Sequence, residues 1–529
     1  MAEKKREHIP HWRLILDQGV LTDRILAHSY PGTGTEQDPH VVNWIEDGEG
    51  DPRDPMQWPR CRKWFYTMMV ALATLAVTLM SSAYSGGIPS ILDEFDVSSE
   101  IGTLGLSLFV VGFAIGPLLW APLSEMYGRQ ILFFLSYAGV TAFNAGVAGS
   151  QNIWTLLILR FIAGTIGSSP LSNAGGVIAD MFPASERGRA STMFAAAPFL
   201  GPVLGPVIGG FLGMNAGWRW VMGFLAAFSG AKRAASLAKH TGKVYISVYQ
   251  HDQGQGKKTL GQAFKTALSR PWILLFREPI VLLLSIYIAI LYGTLYLCFG
   301  AFPIEFQRQR GWNLGLAGLP FLGVMVGMFG AIAYNLLDNK RYIRVQQRHG
   351  GFAPPEARLP PCFVGSVAIP ISLFWFAWTT SPSSIHWIVP IIAIVPFGFG
   401  IVLVFLSVIN YLVDSYTIYA ASVLAANSVL RSLFGAAFPL FTTQMYDELG
   451  TRWASSIPAF LALACVPLPL LFIKYGPAIR KRCQYAAESD AFVRRMEQRA
   501  ARKNDSVASA AERSEPKDTV TDVDVEAGP

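Results

Sequence analysis

Residues 201–213 read Gly201-Pro-Val-Leu-Gly-Pro-Val-Ile-Gly-Gly-Phe-Leu-Gly213. Gly201, Gly205 and Gly209 recur every fourth residue, so in a helix they line one face and let a neighbouring backbone come close. Pro202 and Pro206 remove backbone donors and kink the helix that carries them. The run has no charge and sits inside a longer apolar stretch, Ser191–Gly213. Gly and Pro at this density suit a membrane-spanning helix better than a soluble one. A packing groove with no moving role and a kinked helix that switches are both open on these residues alone.

The rest of the chain repeats that character. Of 529 residues, 52% are hydrophobic and 15% charged, against about 25% charged in soluble domains. A span of hydrocarbon takes about 20 apolar residues in a helix. That length predicts spans at Phe65–Ser85, Gly102–Pro122, Ile131–Gly149, Trp154–Ala179 and Ser191–Gly213. More follow at Ile280–Ala301, Leu316–Leu337, Pro361–Thr379, Ile385–Val413, Ala420–Met445 and Trp453–Tyr475. One further stretch, Trp218–Gly230, is apolar but too short to cross alone.

The basic residues set the orientation. Lys4, Lys5, Arg6, Arg60, Arg62 and Lys63 precede the first span, and Arg129, Arg187 and Arg189 fall in loops that alternation puts on the same side. Nine more Lys and Arg residues lie in Ala231–Pro279. The positive-inside rule makes all of these cytoplasmic, and both termini with them. The central basic segment needs an even number of spans before it, so Trp218–Gly230 must count as a truncated sixth. A net charge of +7 dispersed between apolar runs belongs to membrane topology and not to nucleic-acid binding. The N-terminus has no apolar core of a cleaved signal. After Gly476 the chain turns basic, then acidic and Ser/Ala-rich, which predicts a short helix and a disordered tail. Cys61, Cys298, Cys362, Cys465 and Cys483 keep no metal or redox spacing and read as small apolar fillers.

Internal symmetry is visible. A shift of 213 residues lays Gly102 on Gly315, Gly105 on Gly318, Leu106 on Leu319 and Glu125 on Asp338. Each set runs from glycine through an apolar span to an acid, then to Arg129 or Arg341. Two related halves with the substrate site between them are a common plan for secondary transporters.

Three further features carry charge or polarity. In Ala121-Pro-Leu-Ser-Glu-Met-Tyr-Gly-Arg-Gln130, Gly128 permits a tight turn while Glu125 and Arg129 can bridge helix ends. A latch on the cytoplasmic face and an ordinary turn are both open. Arg160 lies six residues into its span, ~9 Å deep at ~1.5 Å per residue. Insertion there costs at least ~2.5 kcal/mol, so it faces a cavity or a partner, or it snorkels. A cavity-facing role is the expectation, and Arg431 poses the same question. Asn144, Asn173, Tyr287, Tyr292, Asn410 and Asn427 are polar residues inside spans, each lining a substrate cavity or making a helix–helix hydrogen bond.

Together these motifs resemble the major facilitator superfamily, and within it the fungal twelve-span drug:proton antiporters, the multidrug and polyamine exporter branch. Leu123, Gly128 and Arg129 match the signature loop G-x-L-A-D-R-x-G-R-K. Ala121, Ser124, Glu125, Met126 and Gln130 depart from it. Arg160, Gly164 and Gly167 match R-x-x-x-G-x-x-G, and Gly201, Gly205, Pro206, Gly209 and Gly210 match the antiporter motif G-x-x-x-G-P-x-x-G-G in full. Asp51-Pro-Arg-Asp-Pro-Met-Gln-Trp58, Trp218-Arg-Trp220, Arg310-Gly-Trp-Asn313, His386-Trp387 and Ala425-Ala-Asn-Ser-Val-Leu-Arg431 are similar to the branch, over about residues 50–480. One departure is large: Phe228-Ser-Gly230 runs straight into Ala231-Lys-Arg-Ala, where the branch has the end of a span and a Pro-Glu-Thr segment. About 20 residues, the length of a span, are missing there.

The resemblance implies an all-α membrane protein with the major facilitator fold, two six-helix bundles, nominally twelve helices with the sixth truncated. The expected parts are a cytoplasmic tail (1–64), an N-terminal bundle (65–230), a cytoplasmic central loop (231–279), a C-terminal bundle (280–475) and a cytoplasmic, largely disordered tail (476–529). The implied activity is proton-coupled efflux of small organic molecules such as toxins, antifungals and secondary metabolites, by alternating access. A polyamine exporter, a passive facilitator and a non-transporting sensor are the alternatives. No enzyme activity, cofactor, metal or nucleic-acid partner is expected; the proton gradient supplies the energy, and no nucleotide-binding G-x-x-x-x-G-K-[ST] occurs. The expected partners are the small organic substrate, protons and the lipid bilayer, and the expected place is the plasma membrane, with the vacuolar membrane second. Acids are nearly absent at mid-depth, which predicts an apolar or weakly cationic substrate over a polyamine.

Overall fold

The computed structural model describes residues 55–127, 129–182, 184–230, 260–349, 353–381 and 384–494. No strand occurs among them. The first half comprises α1 (Arg60–Ala83), α2 (Ile88–Phe95), α3 (Ser99–Tyr127), α4 (Arg129–Ala148), α5 (Ile153–Gly167), α6 (Ser169–Met181), α7 (Ala184–Ala195), α8 (Ala197–Ala216) and α9 (Trp218–Gly230). α10 (Leu260–Arg277) precedes α11 (Pro279–Phe302), α12 (Pro320–Arg348), α13 (Pro360–Thr380), α14 (Ile388–Ala393), α15 (Val395–Ser415), α16 (Ala420–Cys465) and α17 (Pro467–Arg482). Nine helical stretches among the described residues are long and apolar enough to cross a membrane. Their outer faces show Trp154, Ile158, Val326, Phe329 and Leu337, as helices do whose backbone is satisfied internally and whose side chains meet lipid.

Two of the expected spans are one continuous helical element. α16 contains a single non-helical residue, Gly450 (φ 70°, ψ 162°), where only glycine is unstrained. Residues nine apart in a straight helix would be ~13 Å apart along its axis, yet Tyr446 Oη and Ser455 Oγ are 2.7 Å apart. The element therefore folds back on itself at Gly450 and makes two passes. α9 is 13 residues long, about 20 Å against a hydrocarbon core of ~30 Å. The residues that follow it, 231–259, which hold Lys232 and Arg233, lie outside the described set, as do both tails to residue 54 and from residue 495.

The central segment expected to be a loop is helical in its second part. α10 presents Leu268, Trp272, Ile273 and Phe276 outward and buries Leu274 and Leu275. Its Lys and Arg residues hide that stripe in the sequence, but the arrangement is that of an amphipathic helix, a form suited to the membrane interface.

The helices sort into two groups. α1 packs on α8, α3 on α5, and α4 on α5 and α9; α11 packs on α16, α13 on α15 and α16, and α12 on α15. Between the groups, α3 meets α16 and α8 meets α12. The glycine ladder of α8 is spent on α1: a Cβ at Gly201 would overlap Thr78 and Leu79, at Gly205 Ser82 and Ala83, and at Gly209 the Ala83 carbonyl. Thr78 and Ser82 use that proximity to donate to the carbonyls of Ala197 and Gly201, each at 3.3 Å. α8 stays helical through Pro202 and Pro206. Gly210 turns the other way, towards Leu314 and Gly315 of the second group, and Gly318 meets the Pro206 carbonyl.

Candidate functional site

The N-terminal bundle is built round Arg160. α5 carries it, and Asn152 caps that helix by accepting from the Thr155 amide at 2.8 Å. The guanidinium has no exposed surface. Its Nε donates to the Gly105 carbonyl at 3.2 Å, and its two terminal nitrogens to Met80 (3.1 Å) and Ser81 (3.2 Å). It lies over the rings of Tyr84 (4.7 Å) and Phe109 (4.2 Å). It therefore does not snorkel, and it does not open onto a cavity as expected. The planar fork of donors ties the backbones of α1 and α3 together, which a point charge such as Lys could not do.

Ser81 is also where the two halves touch at mid-span. Its hydroxyl donates to Thr78 O at 2.7 Å and lies 2.8 Å from Tyr296 Oη. Tyr292 donates to Tyr296 at 3.3 Å. Each hydroxyl has one proton, so the chain runs one way, Tyr292 to Tyr296 to Ser81 to the Thr78 carbonyl. It crosses from α11 to α1. Beside it, Arg431 of α16 is 7% exposed, with its guanidinium 4.9 Å from the Tyr292 ring centre and 5.4 Å from that of Phe405. Phe199 of α8 meets Phe405 edge-on at 4.8 Å and Tyr292 at 6.3 Å. The seam lined by Phe199, Ile288, Leu291, Tyr292, Ile401 and Phe405 has no room for a water molecule in this conformation.

The other expected residues separate. Tyr287 donates to Ser366 Oγ (2.8 Å), and Asn427 to Ser285 Oγ (3.3 Å), both inside the second bundle. Asn144 donates to Val140 O (2.8 Å), and Asn173 to Ser169 Oγ (3.3 Å), inside the first. Asn410 lines a cleft at the basic end of the spans with Gly188, Thr192, Asn335 and Asp338, with room for about one water. The halves touch there through Asn335 and Thr192 (3.2 Å). Glu125, Gly128 and Arg129 lie where side chains are not described. Their repeat counterparts are: Arg341 grips Asp338 with two bonds (2.6 and 3.0 Å) and also donates to Ala357 O (2.9 Å). That pair sits three residues apart on one helix and ties it to the Pro355–Arg358 turn, not to the other half. Cys298, Cys362, Cys465 and Cys483 are buried as expected of fillers, whereas Cys61 is exposed.

Several charged groups had no individual signal in the sequence. Around the basic end of the second bundle, Arg358 pairs with Asp414 (3.0 Å), Arg480 grips Glu356 (2.9 and 3.0 Å), and buried Glu278 accepts from Tyr416 (2.8 Å) and the Tyr485 amide (3.0 Å). At the opposite end the short motifs acquire partners. Trp218 and Arg219 both donate to Glu94 at 2.6 Å. Arg310 donates to Ile385 O (2.8 Å) and Thr380 O (3.1 Å), and Trp312 packs edge-on against Trp387.

Two groups of helices, closed on one another at both ends and through the middle, match the family model "Major Facilitator Superfamily" over residues 70–439. The chain belongs to the major facilitator superfamily. It is similar to the "Major facilitator superfamily multidrug transporter mdrA" of Aspergillus fumigatus, 66% identical over 509 residues, covering 93% of this chain and 83% of that protein. It is also similar to "Efflux pump FUBT" of Fusarium oxysporum, 54% identical over 495 residues, 90% of this chain and 82% of that one. In both, the aligned positions outnumber the residues this chain supplies, so each relative carries internal residues that this chain lacks. Among solved structures, the fold matches the proton:xylose symporter XylE with a TM-score of 0.56 at 14% identity, over 79% of this chain and 96% of that one. As a member of this superfamily the chain is a multi-pass membrane protein.

Proposed function

We propose that this chain exports small organic molecules by alternating access, driven by the proton gradient, from a plasma membrane in which both termini are cytoplasmic. The observation that carries the reading is the mid-span seam. Two bundles, each stabilised within itself, meet across an aromatic surface and a single file of hydroxyls, Tyr292, Tyr296 and Ser81. Each bond of that file is cheap to break, since an interhelical hydrogen bond in a membrane is worth ~0.6 kcal/mol on average. Rocking the bundles apart exposes rings and an arginine suited to a flat organic molecule. Export as the direction is supported by the relative named an efflux pump, and the cytoplasmic side by the basic segments at one end of the spans.

Expression in a yeast strain stripped of its own pumps tests this. Cells carrying the chain should accumulate less of a labelled antifungal than empty-vector cells, and collapsing the proton gradient should remove the difference. Equal accumulation with the protein at the cell surface contradicts the proposal.

A further inference from the structure

We propose that Arg431 is the anion-recognition residue of the substrate site, and that the preferred substrates are flat aromatic monoanions bearing a carboxylate or an equivalent acid group. This rests on the efflux reading above and names its substrate class.

Arg431 is buried in the first pass of α16, facing the seam, and forms no hydrogen bond with any described residue; its Nε is enclosed and unpartnered. Arg160, equally buried, satisfies all three of its nitrogens on carbonyls. A guanidinium offers five donors in a fixed fork, and leaving the enclosed Nε–H unmet is costly. Ring faces of Tyr292 and Phe405 soften that cost without meeting the donors.

Among the described residues, no carboxylate pairs with Arg431. In the second half, Asp338 is held by Arg341, Asp414 by Arg358, Glu356 by Arg480, and Glu278 by Tyr416 and the Tyr485 amide. Glu305 is buried, but thirteen residues beyond Tyr292 on a helical path, ~20 Å further along. The seam thus holds a positive charge with open donors, walled by Phe199, Tyr292 and Phe405. A carboxylate fits the fork with two parallel bonds, and an aromatic body fits the rings. The charge at the seam replaces the weakly cationic substrate that the scarcity of acids suggested.

The test uses a matched pair, 1-naphthoate and 1-naphthamide, which differ in the charge and not in the ring. Binding to purified full-length protein is measured by calorimetry, with export of a neutral labelled antifungal as the reference activity. Wild type should bind naphthoate about tenfold or more tighter than naphthamide, the scale of a hydrogen bond to a charged group. Arg431→Gln should erase that preference, and Arg431→Lys should restore part of it, with unfolding temperature showing that each variant is folded. Equal binding of the two ligands by wild type overturns the inference whatever the variants do, as does an Arg431→Gln protein that keeps the preference. Export of the neutral compound without naphthoate preference leaves efflux standing and removes the anion site. Absence of all export removes the efflux reading instead.

Discussion

Among the described residues each bundle buries one arginine, and the two are used in opposite ways. In the N-terminal bundle Arg160 is a structural clamp whose nitrogens are spent on the carbonyls of Met80, Ser81 and Gly105. In the C-terminal bundle Arg431 rests on two rings and keeps its donors free. The first bundle is welded by backbone-to-backbone approach, α8 on α1 through Gly201, Gly205 and Gly209. The second makes such approaches as well, Gly327 on the Val395 carbonyl and Gly398 on the Val324 carbonyl, and adds large aromatics at its centre and ion pairs at both ends. The lesson is that a buried charge is read by what its donors meet, and not by depth.

The contrast breaks most visibly at Arg160. Arg160→Ala strands three buried carbonyls and leaves a hole, a loss of about 3–5 kcal/mol. It should therefore remove both abundance and export, read by a melting curve in detergent and by efflux. A fully stable Arg160→Ala protein would make the clamp incidental. The next largest effect belongs to the welded helices. Gly205→Ala drives a methyl into Ser82 and the Ala83 amide, whereas Gly223 has open space. Gly205→Ala should cost about 1–3 kcal/mol and Gly223→Ala almost nothing, compared by the same melts. The short α9 belongs to the same bundle. Inserting a full-length end to this helix and the missing Pro-Glu-Thr segment after Gly230 should raise abundance and efflux severalfold, and no gain would show that a 13-residue helix suffices.

Smaller effects probe the contact between bundles. Tyr296→Phe removes the middle hydroxyl of the chain from Tyr292 to Ser81. It should cost ~0.6–1 kcal/mol of the closed form and change the export rate by a few-fold while leaving protein level unchanged. Arg308→Ala is the floor of the series. Its pair with Asp447 is 3.4 Å long with both side chains more than half exposed, and such pairs contribute little. Transport should be unaffected.

Much of this was legible in the chain itself. Apolar runs of span length located the long helices, because hydrocarbon thickness fixes the apolar length, but not their polar extensions: α12 runs on to Arg348, well past the expected Leu337. The spacing of Gly201, Gly205 and Gly209 announced a close helix contact, though not that α1 would be the partner. Arg160 announced itself by its cost. What stayed hidden depends on partners far apart in sequence. Ser81 meets Tyr296 across 215 residues, and nothing local marks Ser81 among its neighbouring hydroxyls. Tyr292 and Tyr296, four apart on one helix, gave a usable signal, yet Tyr296 was not among the expected cavity residues. The α10 helix was read as loop because its basic residues mask an apolar stripe and Pro271 interrupts it.

The most direct test of the account is transport by the purified protein in sealed liposomes with an imposed pH difference. A labelled antifungal should accumulate on the side facing away from the termini, against its own gradient, for as long as the proton gradient lasts, and stop when an ionophore dissipates it. Flux that only equilibrates the compound, at the same rate with and without the pH difference, would contradict a proton-driven exporter.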